Sequence, residues 1–227
     1  MKWPDTITIQ EARTEQEKLK NKVILAPLTH VRRLVAGVDA AFSNDRVFAT
    51  ACLFSFPELM LVEIRSAVQK LGFPYVPGFL AFREGPAIIA ALKKLPHMPD
   101  LILVDGQGIA HPRRFGIASY IGVLLDTPAI GCAKSKLIGD YEEPGIKKGS
   151  CSPLRLQGDV VGAVLRSKDN VRPLFISPGH RTDVKSAIRL VLSCLGNYRI
   201  PEPIRCADMQ SKIIKKGSTL KIPVPGY

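Results

Sequence analysis

The pattern of apolar and polar positions predicts three extended segments near the start of the chain. Residues 34–42, with the sequence LVAGVDAAF, are almost wholly apolar and include β-branched side chains. Residues 47–56 and 60–68 follow, each with partial alternation of apolar and polar positions. Because short connections join the three segments, we expect them to pair as an antiparallel meander.

Further along the chain, helical and extended patterns alternate. A charged, helix-prone segment at about 9–22 precedes the meander, and short apolar runs at 100–104 and 129–133 are typical of strands covered on both faces. Residues 139–159 predict a loop with a short hairpin. Further strands are predicted at 160–166 and 173–176, and further helices at about 84–95, 113–125, 182–195 and 204–214.

This order of elements indicates the fold class. Antiparallel strands first, and then strands that alternate with helices, favour an α/β fold with a central mixed sheet flanked by helices. Pro86 is well placed for the first turn of its helix, and the residues 177–180 (SPGH) are expected to lead into the helix at 182. The length of 227 residues predicts a single domain spanning 1–227, with a basic C-terminal tail from about 211.

The net charge of the chain indicates which classes of partner it favours. Thirty-two Lys and Arg residues against 20 Asp and Glu give a net charge of +12, which attracts polyanions such as nucleic acid or an anionic membrane surface. Simple solubility is an equally good explanation of the charge alone. After Asp208 the chain has no acidic residue but keeps Lys212, Lys215, Lys216 and Lys221, which suits phosphate contacts or a merely solvated end.

Other sequence features exclude several classes of protein. The five cysteines contain no C-x-x-C pair and are odd in number, so neither a disulfide framework nor a zinc site is predicted. The first 22 residues lack the apolar region of a signal peptide, and no apolar run approaches the length that spans a bilayer. We therefore expect a cytoplasmic protein with no membrane partner.

Three carboxylates stand in unusual places. Asp39 lies inside an apolar strand, Asp105 ends another, and Glu84 lies where a Pro- and Gly-rich loop meets a helix. An ionised carboxylate inside a core is costly without a cation or several hydrogen bonds. If the two strands are neighbours, the three side chains converge, and clustered carboxylates of this kind favour Mg²⁺ and metal-assisted phosphodiester hydrolysis.

Each of the three carboxylates also has a structural explanation. Asp39 would be a strand-end turn residue, Glu84 a contributor to a helix N-terminus, and Asp105 an Asx turn before glycine. For each residue alone this explanation is the better one. Their joint occurrence in a very basic chain favours the metal site.

The segment 105–111 (DGQGIAH) does not support a dinucleotide-binding fold. The third glycine of G-x-G-x-x-G is replaced by His111, and Asp126 precedes the next strand instead of ending it. Lone histidines such as His111 are more often structural donors than ligands. Lys134 follows an apolar strand, and a lysine at this position could reach a phosphate. An ordinary surface charge is the alternative interpretation. No Walker or G-x-S-x-G motif is present.

Several ordered motifs resemble the endonuclease V family. The match extends over roughly residues 10–210 in the right order. Its motifs are PYVPGFLAFREGP at 74–86, GVD at 37–39, VDGQG at 104–108, HPRRFG at 111–116, GCAKS at 131–135, SPGH at 177–180 and RIPEPIR at 199–205.

The resemblance implies an RNase H-like fold that presents acidic residues to divalent metal. Asp39, Glu84 and Asp105 match the catalytic carboxylates of the family, and Asp208 corresponds to the fourth metal position, all four binding Mg²⁺, for which Mn²⁺ is able to substitute. His111 and Lys134 match catalytic residues near the scissile phosphate or the metals.

The resemblance also implies a lesion-binding side. Tyr75 matches a wedge residue that fills the gap left by an extruded base, and its stiff proline frame limits the entropy lost on insertion. Main-chain amides would read the O6 atom of hypoxanthine. The implied substrate-binding residues are Tyr75, Pro77, Gly78, Gly85, Gly108, Ile109, Ala110, His111 and Lys134.

The implied activity is hydrolysis of the second phosphodiester bond 3′ to inosine in DNA, as a step of DNA repair, leaving 3′-hydroxyl and 5′-phosphate ends. The partner is then DNA that contains deoxyinosine. Two alternatives stay open. One is an endoribonuclease that acts on inosine in RNA, and the other is a non-catalytic nucleic-acid-binding module, which the retention of all three carboxylates disfavours.

Overall fold

The three extended runs at the start of the chain form the predicted meander. In the computed structural model, which describes residues 7–31 and 33–218, β1 (Leu34–Ser43) pairs antiparallel with β2 (Arg46–Ser55). Strand β2 pairs antiparallel with β3 (Leu61–Lys70). The predicted β-meander is therefore confirmed.

The remaining strands extend the meander into one eight-stranded mixed sheet. Its order is β3-β2-β1-β4-β5-β8-β7-β6. Strands β1, β4 and β5 are parallel, and the others pair antiparallel. The strands that complete it are β4 (Leu101–Val104), β5 (Ala129–Ala133), β6 (Cys151–Leu156), β7 (Asp159–Leu165) and β8 (Leu174–His180). The predicted α/β class with a central mixed sheet is confirmed.

Helices cover both faces of the sheet. They are α1 (Ile9–Lys20), α2 (Leu80–Leu92), α3 (Ile117–Leu125), α4 (Val184–Ser193) and α5 (Glu202–Lys215). Within the wholly buried β4, Ile102 and Val104 pack into the core beneath α2 and α3, while Leu101 and Leu103 pack into the core beneath α4 and α5. The two-residue period of a strand therefore explains why this run is apolar throughout.

Three predicted boundaries are wrong. Helix α2 begins at Leu80 and not at residue 84, so Pro86 lies inside the helix, whose first turn is held by packing among Phe73, Phe79 and Phe82. Helix α3 begins at Ile117 instead of residue 113, because the chain first makes a turn with a positive φ of 57° at Arg114.

The third difference is the segment 177–180, which belongs to strand β8 and does not lead directly into a helix. It stays extended because its partner β5 continues beside it, with Gly131 paired to Ser177 and Ala129 paired to His180. Helix α4 follows at Val184, with the Asp183 side chain accepting a hydrogen bond from the Ser186 amide.

The C-terminal helix takes up part of the expected basic tail. Helix α5 continues to Lys215, so residues 211–215 are helical, and Lys221 lies outside the described residues. None of the helices within residues 7–31 and 33–218 combines the length and the apolar character that crossing a membrane requires.

Candidate active site

Two of the predicted carboxylates lie just beyond the last residue pair that joins the neighbouring parallel strands β1 and β4. Val38 of β1 pairs with Val104 of β4, so the next residues, Asp39 and Asp105, extend from the same edge of the sheet. This is the convergence expected from the apolar runs that precede each carboxylate. The site therefore begins where the parallel pairing of β1 with β4 ends, although β1 itself continues to Ser43.

Helix α5 adds the third carboxylate. One oxygen each from Asp39, Asp105 and Asp208 lies within 4.8 Å of the others, and we call these three residues the acidic cluster. The Ser211 hydroxyl, one turn further along α5, donates a hydrogen bond of 2.7 Å to Asp39 Oδ2. Helix α5 is thus tied to β1 at the point where it supplies Asp208.

The close approach of α5 to β1 depends on Gly37. A Cβ atom at this position would lie 2.0 Å from the carbonyl carbon of Pro203, a distance that no packing adjustment of a side chain relieves. Glycine therefore permits the contact that brings Asp208 and Ser211 to Asp39. The GVD sequence at 37–39 combines this permissive position with a carboxylate.

The electrostatics of the site oppose a full set of negative charges. Burial, with a smaller contribution from the charges of Asp105 and Asp208, raises the pKa of Asp39 to about 6, against the opposing effect of the Ser211 hydrogen bond. Burial and the charges of Asp39 and Asp105 raise the pKa of Glu84 to about 8. Both carboxyl groups therefore lack sufficient positive charge around them within the protein.

Glu84 lies beside the acidic cluster and not within its 4.8 Å group. It projects from α2, on the face of the sheet opposite α5, and is half-buried. Beyond the larger effect of burial, Asp39 and Asp105 raise the pKa of Glu84 through their charges and not through a hydrogen bond. Of the four predicted metal ligands, three therefore form a group and the fourth approaches from another element.

Lys134 supplies the cation nearest to the cluster. It follows β5, and its Nζ atom lies 2.5 Å from Asp105 Oδ2 and 3.7 Å from Asp208 Oδ1. Burial acts to lower the pKa of Lys134, but the bond to Asp105 and the surrounding carboxylate charges raise it overall. The prediction that Lys134 lies near the metal position agrees with this placement.

A cavity of about 390 Å³, a size typical of ligand pockets, extends from Asp105 of the acidic cluster to the predicted lesion-binding loop. Asp39, Asp208 and Glu84 are not among its lining residues. The Tyr75 loop, by which we mean residues 74–78, forms one wall, and the Tyr75 side chain is 73% exposed. Six of the predicted site residues line the cavity, namely Tyr75, Pro77, Gly78, Asp105, His111 and Lys134.

His111 is held by backbone groups on both ring nitrogens. Nδ1 accepts from the amide of Arg113 at 3.2 Å, so Nε2 carries the proton and donates to the Gly78 carbonyl at 3.1 Å. Burial and the charge of Arg113 lower the pKa of His111 to about 4. His111 is therefore a neutral side chain that joins the Tyr75 loop to the segment after β4, and its predicted catalytic role stays a prediction.

Four predicted pocket residues have their contacts inside the fold. The amides of Gly108 and Ile109 donate to Ser177 Oγ and to the Pro178 carbonyl, at 2.7 and 2.8 Å. Ala110 packs in a hydrophobic cluster with Ile109, and Gly85 lies against the Tyr120 ring. The amides of Gly108 and Ile109 already donate hydrogen bonds inside the fold. The expectation that they read a base therefore has no support from their contacts.

Two residues absent from the sequence predictions take part in the site. Gln107 lines the cavity and donates to the Ser135 carbonyl at 3.2 Å. Ser211 holds Asp39. The signal for Ser211 was its position three residues after Asp208, which places both side chains on one face of a helix.

The donor set of the cluster fits a hard divalent cation. All three grouped ligands are carboxylates, and oxygen ligands are what Mg²⁺ and Ca²⁺ take in proteins. The raised pKa values of Asp39 and Glu84 indicate that a cation would relieve the unfavourable charge. The acidic cluster therefore could bind a metal ion.

A mixed sheet of this topology, with carboxylates from two neighbouring parallel segments and a helix gathered at one point, is the arrangement expected of a metal-dependent nuclease of RNase H-like fold. The sequence profile of the Endonuclease V family matches residues 17–209. The chain belongs to the endonuclease V family.

Individual relatives agree with this assignment. An endonuclease V of Nostoc punctiforme is 50% identical over 209 residues, which cover 91% of this chain and 94% of that protein. The crystal structure of the endonuclease V from Streptomyces avermitilis is 44% identical with a TM-score of 0.90, and the match covers 95% of each chain.

A more distant solved relative contains a nucleic acid. The endonuclease V of Ciona intestinalis, 30% identical with a TM-score of 0.78, was solved in complex with a 24-mer DNA containing an inosine followed by a ribo-adenosine. The match covers 92% of this chain and 98% of that one.

Proposed function

We propose that this protein is a Mg²⁺-dependent endonuclease that recognises inosine in DNA and hydrolyses the second phosphodiester bond 3′ to it, as a step of DNA repair. The observation that carries the proposal is a single cavity bounded by the exposed Tyr75 ring on one side and by Asp105 and Lys134 on the other. Recognition and hydrolysis groups thus face the same space. The inosine-containing DNA bound by the Ciona relative supports the choice of substrate.

Asp39, Asp105 and Asp208 would hold the ion, with Glu84 joining them from α2. Bound there, Mg²⁺ or the substituting Mn²⁺ would supply an activated water and neutralise charge on the leaving oxygen. Lys134 lines the cavity beside Asp105, where its ammonium group would bind a phosphate of the strand. Ser211 keeps the Asp39 carboxylate in one orientation through its hydrogen bond.

Tyr75 would enter the strand where the inosine leaves the stack. An exposed aromatic ring on a loop with two prolines loses little entropy on insertion, and stacking is worth roughly 1–3 kcal/mol per base. The extruded base would then occupy the cavity beside Gly106 and Gln107. Pro77 and Gly78 shape the wall from which Tyr75 projects.

A nicking assay tests this proposal directly. Labelled strands with one inosine or one adenine at the same position are incubated with Mg²⁺ or with EDTA, and the products are mapped to the nucleotide. We expect a single cut at the second bond 3′ to inosine, none at adenine and none in EDTA. Equal cutting of the adenine strand, or cutting that persists in EDTA, would overturn the proposal.

RNA is a second candidate substrate because the strand bound by the Ciona relative carries a ribonucleotide directly after the inosine. Three matched strands separate the candidates: all-DNA, DNA with one ribonucleotide 3′ to inosine, and all-RNA. Faster cutting of the all-RNA strand than of the all-DNA strand would assign the protein to RNA instead.

A further inference from the structure

The last backbone carbonyl of the Tyr75 loop, that of Gly78, accepts hydrogen bonds from three side chains. The Gly78 oxygen lies 3.3 Å from Gln16 Nε2, 3.1 Å from His111 Nε2 and 2.5 Å from an Arg113 guanidinium nitrogen. A carbonyl oxygen has two lone pairs, so three donors occupy it fully. Residues from two separate parts of the chain therefore hold the end of this loop.

The conformation of Gly78 makes this contact possible. Its φ is +80°, and a Cβ atom here would lie 2.7 Å from the Arg113 guanidinium group. A side chain at this position would therefore strain the backbone and displace Arg113. The turn at Gly78 presents its carbonyl to the three donors and leaves Tyr75 on the outer side, exposed.

Gln16 is the unexpected member of this set. It belongs to helix α1 and is 1% exposed, on the same buried stripe as Ala12 and Leu19. Its Nε2 atom also donates to the Phe115 carbonyl at 2.8 Å, and its Oε1 atom accepts a short hydrogen bond from Arg113 Nε. A buried amide is costly unless it is hydrogen-bonded, and both ends of Gln16 are.

Arg113 connects Gln16 to the aromatic base of the loop. Its guanidinium group lies 4.1 Å from the centroid of the Phe79 ring, a cation–π distance. Phe79 in turn packs against Phe73 and Phe82. The Tyr75 loop is therefore held from below by polar contacts to Gly78 and at its end by an aromatic cluster.

We propose that Gln16 is a positioning residue for lesion recognition, through which helix α1 and Arg113 hold the Gly78 carbonyl and so fix the loop that carries Tyr75. This inference rests on the wedge role proposed above for Tyr75. A loop that is ordered before binding loses less conformational entropy when its ring enters a strand. Gln16 contributes no atom to the cavity itself, so it acts through the loop.

The test replaces Gln16 and compares the result with a control on the same helix. Gln16→Met keeps the length of the side chain and removes its polar atoms. Gln16→Glu keeps an acceptor for Arg113 and removes the donor to Gly78 and Phe115. The control is Thr8→Ala, which breaks the capping box of α1 and leaves Gly78 untouched.

Two readouts taken in EDTA avoid any dependence on cleavage. The first is the ratio of affinities for inosine and adenine duplexes. The second is the fluorescence of 2-aminopurine placed next to inosine. This fluorescence rises when the protein extrudes the inosine and the 2-aminopurine loses its stacking partner. We expect Gln16→Met to lower the affinity ratio by roughly 5- to 10-fold, the net value of the one hydrogen bond to Gly78, and to reduce the fluorescence rise as well. Gln16→Glu should lower both signals less. Thr8→Ala should match the wild type.

The background of Tyr75→Ala separates this inference from the proposed function. If Gln16 acts through the wedge, adding Gln16→Met to Tyr75→Ala causes no further loss. Losses that add, or a Gln16→Met variant that folds and discriminates like Thr8→Ala, would overturn the inference while leaving the wedge role standing. Normal discrimination by Tyr75→Ala would overturn the wedge role, and the inference with it.

Discussion

Asp105 of the acidic cluster and the Tyr75 loop line one cavity, but the cluster and the loop are built in opposite ways. Asp39 lies within β1, Asp105 directly follows the paired strand β4, and Asp208 extends from a helix packed on Gly37. Tyr75 stands on a loop without regular structure, which other elements hold through one carbonyl at Gly78. The chemistry is carried by the sheet, and recognition is carried by a supported loop.

This difference implies that the two halves of the site fail separately. A change in the cluster should remove hydrolysis and leave inosine binding, because the loop does not depend on the carboxylates. A change in the loop should weaken the choice of base and leave the metal site intact. The predictions below probe this separation, beginning with the largest effect.

Asp105→Asn should abolish cleavage while the protein still binds inosine DNA. The substitution replaces a negatively charged metal ligand with a neutral amide, so we expect a reaction at least about 100-fold slower. Losing a residue that only hydrogen-bonds to a metal ligand typically costs about 10- to 100-fold, and losing the ligand charge itself should cost more. Single-turnover cleavage measures the rate, and fluorescence anisotropy in EDTA measures binding. A parallel loss of binding would mean that the cluster and the loop are not separable.

Tyr75→Ala should produce the reverse result. We expect inosine affinity to weaken by about 1–3 kcal/mol, the value of stacking on one base, with unchanged metal affinity. Tyr75→Phe keeps the ring and serves as the matched control. Equal weakening of inosine and adenine duplexes would show that Tyr75 contributes general affinity and not discrimination.

Ser211→Ala should weaken metal binding by roughly 10-fold, since partners that orient a metal ligand typically contribute 10- to 100-fold. The variant loses the hydrogen bond to Asp39 and keeps every carboxylate. Calorimetric titration with Mn²⁺ in the absence of DNA gives the affinity, and Ser211→Thr should restore most of it. Wild-type affinity in Ser211→Ala would show that Asp39 needs no such partner.

The smallest effect concerns stability without metal. The pKa of Asp39 is raised to about 6 and that of Glu84 to about 8, so the folded chain binds more protons than the unfolded chain between pH 4 and 8. Stability must therefore fall as pH rises through this window.

Melting curves in EDTA at pH 5 and pH 8 measure this fall. Between pH 5 and pH 8 we expect the Tm to fall less in Glu84→Gln than in the wild type. The difference between the two falls should be at least about 2–4 °C, the shift that 1 kcal/mol causes in a chain of this size. Mg²⁺ should restore the wild-type Tm at pH 8. An identical pH dependence in Glu84→Gln would exclude Glu84 as the source.

Features set by local pattern could be predicted from the sequence. The meander follows from its three extended runs, and the convergence of Asp39 with Asp105 follows from the apolar residues that precede each carboxylate. The predicted start of α2 is wrong, because Pro86 suggests a first turn, while packing among Phe73, Phe79 and Phe82 holds an earlier turn that begins at Leu80.

Contacts between distant segments account for what the sequence did not reveal. Gln16 lies 62 residues from Gly78, and Ser211 lies 172 residues from Asp39, so no local spacing connects either pair. A faint signal existed for Gln16, a polar residue in register with Ala12 and Leu19 on the buried stripe of α1. It predicts burial but not the partner.

The central claim is that the acidic cluster binds a divalent ion, and titration of Mn²⁺ followed by electron paramagnetic resonance tests it without substrate. The comparison is between wild type, Asp39→Asn and Asp45→Asn, since Asp45 is an exposed carboxylate on the same β-hairpin. We predict that wild type and Asp45→Asn bind Mn²⁺ alike and that Asp39→Asn loses this binding. Equal binding by all three proteins would contradict the assignment of the metal site.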